Sequence, residues 1–501
     1  MMEHLLVFIL FWPLVGMLAL LLIPSERKDL IRLSANGILL AGFLISVLLV
    51  SNFDRSASGY QFVERASWIP SIGASFLIGI DGISLLMVML TTLIGFLAAL
   101  SSWNAIRDRV KEYYALFLLL QTALIGVFIS LDFFLFYIFF ELVLIPMYFI
   151  IGIWGGERRL YAAIKFFLYT LTGSVLMLLG ILTLYFQYRT QFGVYTFEVA
   201  RLMSLKMTPQ VEMWVFWALF LGFAIKIPMF PFHTWLPDAH VEAPTAGSVV
   251  LASVMLKMGT YGFLRFSLPL APHASATPWV VKTMVALSLI AILYGALVSL
   301  VQTDWKRLVA YSSVSHLGFC TLGIFALNTN GITGSVLQQI NHGISTGMLF
   351  LIVGVAYERR RTTAIREYGG LATVMPNFAV VFAIALWSSA ALPLLNGFVG
   401  EFTILSGAFQ ANFVWATVAS LGVVLAAAYL LWLYQRVMLG EVKNDSNRRL
   451  PDLSLREWAV FLPLIAWAFW IGIYPKPYFD VLAKPVQFIV DRVNGERVQA
   501  K

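Results

Sequence analysis

Fourteen apolar runs follow one another along this 501-residue chain, each about 18 to 25 residues long and so about enough, as a helix, to cross a hydrocarbon core ~30 Å thick. They cover, approximately, residues 5–23, 31–50, 82–102, 113–130, 132–153, 162–186, 211–231, 244–267, 280–301, 307–327, 332–356, 376–404, 410–435 and 458–474. Backbone groups inside lipid must be satisfied within their own segment, which makes each run a helix. The fold class is therefore an all-α polytopic membrane protein of about 14 transmembrane helices. With 60% apolar and 12% charged residues, the composition excludes a water-soluble domain of this size. The first run reads as a retained anchor rather than a cleaved signal peptide. No Lys or Arg precedes it, no small-residue cleavage site follows, and Arg27 and Lys28 close it.

An even number of spans puts both termini on one side, and the basic residues say which. With the N-terminus outside, the inner loops hold 20 of the 34 Lys and Arg residues, among them Arg107, Arg109, Arg158, Arg359, Arg360 and Arg361. Such an excess marks the cytoplasmic side. Three basic residues belong to no loop: Lys226, Lys257 and Arg265. Arg265 lies near a span end and is expected to snorkel outward. The formal charge of +8 thus follows from topology and lipid-facing loops, and does not indicate nucleic-acid binding. The single cysteine, Cys320, cannot ligate an iron–sulfur cluster or close an internal disulfide. No strand pattern and no glycine-rich nucleotide turn is visible, so no redox or nucleotide cofactor is assigned to this chain.

Charges deep in apolar spans usually mark an ion or proton path. Glu141 lies about 14 Å into its span from Asp132, near the bilayer midplane. Lys257, His316 and His342 fall at similar depth on spans eight, ten and eleven. The plain alternative, in which each polar group is satisfied by a neighbouring carbonyl, fits one buried histidine better than six groups at matched depth. A lysine in a low dielectric releases its proton readily, and a nearby carboxylate restores its hold, so a Glu–Lys pair works as a switch.

Two spans carry helix breakers beside their charges: Lys226-Ile-Pro228-Met-Phe-Pro231 in span seven, and Pro393 through Asn396 to Glu401 in span twelve. Proline removes a backbone donor and frees carbonyls, which then need a polar cavity. Read otherwise, the prolines are packing kinks. Spans seven and twelve are five apart, so equivalent helices in two five-span units run in opposite directions, the arrangement of inverted-repeat transporters. The expected organisation is residues 1–112 for spans one to three, 113–268 for a first five-helix repeat (spans four to eight), 279–437 for a second (spans nine to thirteen), and 438–501 for an inner loop, the last span and an outer tail.

The stretch Phe232-His-Thr-Trp-Leu-Pro-Asp-Ala-His240, followed by Glu242-Ala-Pro-Thr-Ala-Gly-Ser248, resembles the signature of the antiporter-like membrane subunits of respiratory complex I, NADH:quinone oxidoreductase. Asp132, Glu141, Lys226, Lys257, the Ser313–Phe319 run, Asn341-His342 and Phe398–Glu401 also fall where that family has them. Glu401, where sister subunits tend to carry Lys, points to the subunit M class, equivalent to chain 4 of the mitochondrial enzyme. The resemblance implies a proton-translocating subunit driven by redox chemistry elsewhere. FMN, iron–sulfur clusters and quinone are then expected in partner subunits, and sister antiporter-like subunits and lipid are expected around this chain. It also implies a gating pair in Glu141 and Lys226, a central relay in Lys257 and an exit-side carrier in Glu401. His316 and His342 then pass protons between Lys257 and Glu401. Lys165 is either a modulator of the first half or a positive-inside residue, and Asp132 either a coupling group or a helix N-cap. One departure is visible: Leu394 stands where the family usually has Gly.

The expected location is the inner (plasma) membrane of a cell rather than an organelle, with both termini on the outer side. His233, Asp238, His240 and Glu242 fit no common zinc spacing, and no metal is assigned. Two other functions share these features. One is a cation/proton antiporter subunit of the multisubunit sodium-exchange type. The other is a membrane scaffold whose buried charges only pair helices.

Overall fold

The structure is a computed structural model that describes residues 4–499. Eleven helices among the described residues are long and apolar enough to cross a membrane. The three other expected spans fall on shorter or interrupted helices. Leu5–Leu21 carries the first. Pro209–Lys226 carries the seventh up to its break. The twelfth divides into Pro376–Ser389 and Asn396–Ala411.

Burial sorts the helices into a shell and a centre. Lys28–Asn52 and Phe413–Met438 expose most of their apolar surface, as lipid-facing helices do, whereas Thr245–Leu270, Trp305–Phe325 and Thr329–Arg360 are enclosed over nearly their whole length. The enclosed helices are also the polar ones. Ser312, Ser313, His316, Gln338, Gln339, Asn341 and His342 are all buried. Polar side chains are costly against lipid, so a helix rich in them is stable only where other helices supply partners.

Two elements depart from the sequence reading. The connector between the second and third spans is a β-hairpin, Gln61–Ile69 paired antiparallel with Ala74–Ile80. Its strands carry register irregularities between Gln61 and Glu64 and between Ser67 and Ile69, and these erase the two-residue alternation by which strands are recognised. Gly73 closes the turn at φ 69°, where a Cβ would lie 2.3 Å from the carbonyl oxygen of Tyr195. The C-terminal tail, in turn, is the helix Lys476–Gln499. It packs against Gly82–Ser101 and Thr329–Arg360, and Arg492 donates to the carbonyl of Pro269 at 3.2 Å.

Arg265 does not snorkel. It is buried and holds Asp81 through two parallel bonds, Nη1 to Oδ2 at 2.8 Å and Nη2 to Oδ1 at 2.7 Å. Asp81 caps helix Gly82–Ser101 by accepting from the Ser84 N–H at 3.0 Å, which fixes the carboxylate within reach of the guanidinium.

Candidate proton-transfer site

Helix Pro209–Lys226 ends on Lys226, and residues 227–234 are not helical before Trp235–Glu242 resumes. Pro228 and Pro231 dictate the interruption, since neither offers a backbone donor. Trp235 satisfies one carbonyl freed there, its Nε1 donating to Ile225 O at 2.9 Å. Lys226 is therefore buried at the lip of the break. Its Nζ has no hydrogen-bond partner among the described residues and lies 5.1 Å from the ring centre of Phe140 and 5.7 Å from that of Phe166. Aromatic faces attract the ammonium weakly compared with a carboxylate in contact.

Glu141 faces this site on helix Phe133–Leu142, with Ser174 and Lys226 as the groups turned towards it. One carboxylate oxygen, Oε1, has no hydrogen-bond partner among the described residues. The expected gating pair is thus close enough to interact electrostatically, with no contact ion pair between the two among the described residues. Lys165, on the same side of the break, bonds Asp238 at 2.7 Å, so it ties helix Arg159–Phe192 to the segment after the break. Asp132 is the N-cap of helix Phe133–Leu142, accepting from the N–H groups of Phe134 (3.0 Å) and Leu135 (3.1 Å). Its second oxygen accepts from the Ser75 N–H of the hairpin at 3.0 Å.

Lys257 sits between two π-helical turns, Leu251–Met255 and Phe263–Ser267, which no residue pattern announces. Single π turns leave carbonyls misaligned and recur at functional sites. Here the lysine uses one, its Nζ donating to Ala252 O at 2.6 Å. The same Nζ lies 2.6 Å from Nδ1 of His342. The rings of His342 and His316 are 5.8 Å apart between centres. His316 Nδ1 is 3.0 Å from Glu401 Oε1. Lys257, His342, His316 and Glu401, drawn from four different segments, therefore stand in a row.

The second break holds the far end of that row. Asn341 donates to Asn396 O at 2.7 Å and Ser388 to Asn396 Oδ1 at 2.6 Å, which satisfies polar groups at the start of helix Asn396–Ala411. Leu394 lies in this break at φ 77°, a conformation in which glycine is at home and leucine is strained. Five further groups lie on or beside the row and were not singled out in the sequence reading. Gln338 Nε2 donates to Glu401 Oε1 at 3.0 Å, and Ser389 Oγ (3.2 Å) and Tyr429 OH (3.3 Å) meet His316 Nε2. Thr260 donates to Gln339 Oε1 at 2.7 Å beside Lys257. Gln338 and Gln339 left a signal, since they stand four and three residues before His342 on the same helix face.

The loop residues that mimic a metal site are engaged separately. Asp238 pairs with Lys165, Glu242 accepts from the Arg158 N–H at 2.9 Å, His233 Nε2 is 3.3 Å from Tyr294 OH, and His240 stacks on Phe350 with 4.4 Å between ring centres.

A bundle with two broken helices, a buried lysine at the first break and a row of titratable side chains reaching the second has the architecture of membrane proton and cation carriers. The family model for NADH:quinone oxidoreductase/Mrp antiporter transmembrane subunits matches residues 130–426, and the chain belongs to that family. It is 46% identical to the NADH-quinone oxidoreductase subunit M of Rhodobacter capsulatus over 99% of this chain and 98% of that one. It is also 46% identical to the NADH-ubiquinone oxidoreductase chain 4 of Arabidopsis thaliana, over 95% of each chain. Among solved structures, respiratory complex I from Thermus thermophilus with bound NADH contains a chain that superposes with a TM-score of 0.88 at 32% identity, covering 97% of this chain and 99% of that one. A chain of the Mrp complex from Dietzia shares the fold, with a TM-score of 0.84 at 21% identity.

Proposed function

We propose that this chain is a proton-translocating membrane subunit of an NADH:quinone oxidoreductase, of the subunit M and chain 4 class. Electron transfer takes place in other subunits, which carry the FMN, the iron–sulfur clusters and the quinone. This chain moves protons along Glu141, Lys226, Lys257, His342, His316 and Glu401. The row from Lys257 to Glu401 carries the reading, because a scaffold has no need of four titratable groups in series. Its members alternate between proton donors and acceptors that exchange roles on protonation, as a relay requires.

In the proposed cycle a proton reaching Lys257 repels the ammonium of Lys226, and movement of Glu141 away from Lys226 weakens its hold further. Protons pass from Lys257 through His342 and His316 to Glu401. The two breaks supply the mobile points, in two five-helix units of opposite direction, residues 113–268 and 279–437. The chain works in the inner membrane of a cell with both termini outside, flanked by sister antiporter-like subunits and lipid.

The alternative is a subunit of a multisubunit sodium/proton antiporter. Purification of the complex from native membranes through an affinity tag on this chain separates the two. NADH:quinone oxidoreductase activity co-purifying with the tag, with proton uptake into vesicles on NADH addition, supports the proposal. Sodium-driven proton exchange without NADH, and no co-purifying NADH oxidation, selects the alternative.

A further inference from the structure

The first half of the molecule carries one buried ion pair that the proton row does not use. Arg265 follows Lys257 by eight residues, about 12 Å along the same helical segment towards the face that bears the hairpin. All five guanidinium N–H donors are occupied. Nε donates to Tyr261 OH at 3.1 Å, Nη1 to Asp81 Oδ2 at 2.8 Å and to Tyr60 OH at 3.0 Å, and Nη2 to Asp81 Oδ1 at 2.7 Å and to Ser84 Oγ at 3.0 Å. Tyr261 OH donates in turn to Phe128 O at 2.9 Å. Beyond the pair lies a cavity of about 150 Å³ lined in part by Arg55, Tyr60, Asp81, Arg265, Lys484 and Phe488.

The stretch that follows Glu401 in the second half differs. From Glu401 to the end of helix Asn396–Ala411, no charged residue occurs. The partners along that stretch are neutral amides and hydroxyls: Gln338 on Glu401 (3.0 Å), Asn330 on Ser406 (3.4 Å) and Asn328 on the Gly407 carbonyl (2.8 Å). Such groups both donate and accept.

We infer that the Asp81–Arg265 network is a seal that closes the Lys257 end of the proton row towards the hairpin face, so that protons reaching Lys257 leave only through His342 and Glu401. Proton relay needs, at each step, an acceptor that can become a donor. A guanidinium accepts nothing and is never deprotonated in proteins, both oxygens of Asp81 are taken by it, and Tyr261 is committed to a carbonyl. The network is thus a dead end for a proton arriving from Lys257, and the fixed charge of Arg265 opposes a hydronium coming from the cavity, as arginines do in proton-excluding pores. Asp81, Tyr60, Ser84 and Tyr261 are positioning residues in this scheme.

The inference rests on the proton-channel reading, and the test keeps the two apart. The assembled complex carrying Asp81→Asn with Arg265→Gln is placed in vesicles, and passive proton flux under an imposed potassium diffusion potential is followed with a pH-sensitive dye in the absence of NADH. The double variant removes both charges together, so neither is left buried alone. Expected is a passive flux at least ten times that of the unaltered complex, suppressed again by adding Lys257→Met, with fewer protons pumped per electron. Arg265→Lys, which keeps the charge, stays within twofold of the unaltered flux. An assembled double variant that is as proton-tight as the parent, with unchanged protons per electron, overturns the seal. Should the double variant fail to assemble, Tyr60→Phe with Ser84→Ala removes two of the five acceptors and leaves the ion pair. A flux raised at least twofold supports the seal, and an unchanged flux overturns it. Failure of the underlying reading shows separately, as Lys257→Met alone leaving NADH-driven pumping intact.

Discussion

Replacing His342 by Met tests the weakest joint of the proton row. The histidine is buried, methionine nearly matches it in volume, and the flexible thioether tolerates the packed site, so the structural cost is small. The electrostatic loss is specific. Lys257 Nζ is 2.6 Å from His342 Nδ1 and among the described residues otherwise bonds only the Ala252 carbonyl. A hydrogen bond involving a charged group contributes about 1.5–3 kcal/mol, equivalent to about 10- to 100-fold in the population of the transferring geometry. The His342 ring is also the step between Lys257 and His316, whose ring centre lies 5.8 Å from its own. With that ring gone, a proton has no side chain to occupy across the gap. NADH oxidation by coupled membranes and dye-reported proton uptake are therefore expected to fall together by about 10- to 100-fold, with native gels showing assembled complex. Pumping within twofold of the unaltered complex, with assembly intact, refutes the row as the path.

Other expected outcomes follow from single contacts. Glu141→Gln keeps the shape but removes the charge facing Lys226, and should lose coupled NADH oxidation in an assembled complex. Moving the glutamate one turn along the same face is then expected to rescue part of it, which comparison of the two variants by proton uptake decides. Leu394→Gly relieves a residue held at φ 77° and should raise thermal stability by about 1 kcal/mol in a denaturation series. Gly472→Ala acts in the opposite sense. Its Cβ would lie 2.2 Å from the carbonyl oxygen of Leu394, so the last span and the second break must separate, lowering both stability and pumping. Trp235→Phe leaves the Ile225 carbonyl at the first break unpaired, and a loss of about 1–3 kcal/mol is expected in the same denaturation series.

Depth along apolar runs made much of the proton row legible. Lys257, His316 and His342 each stand mid-span, Glu401 was expected from the family resemblance, and the structure brings these four into one series. The prolines at 228, 231 and 393 mark both breaks in the sequence itself. What escaped was set by partners distant in sequence. Arg265 reads as a snorkelling residue because its position near a span end says nothing of Asp81, which lies 184 residues away. The hairpin Gln61–Ile69 with Ala74–Ile80 was hidden by its register irregularities. The π turns around Lys257 have no residue signature, since they arise from packing rather than propensity. Glu141 and Lys226 were legible as a facing pair, but their lack of direct contact is a property of helix placement that spacing does not encode.

The central claim is that the buried charges move protons and do not merely hold helices together. Its most direct test is the protons translocated and electrons transferred by vesicles carrying Lys226→Ala, with assembly checked on a native gel. Lys226 bonds no side chain among the described residues, so its loss leaves no hydrogen-bonding partner unpaired, and the native gel reports the cost of the cavity its truncation opens. The account predicts an assembled complex in which pumping and coupled electron transfer fall together. Normal pumping and normal electron transfer in the assembled variant would contradict it and return the buried lysine to an architectural role.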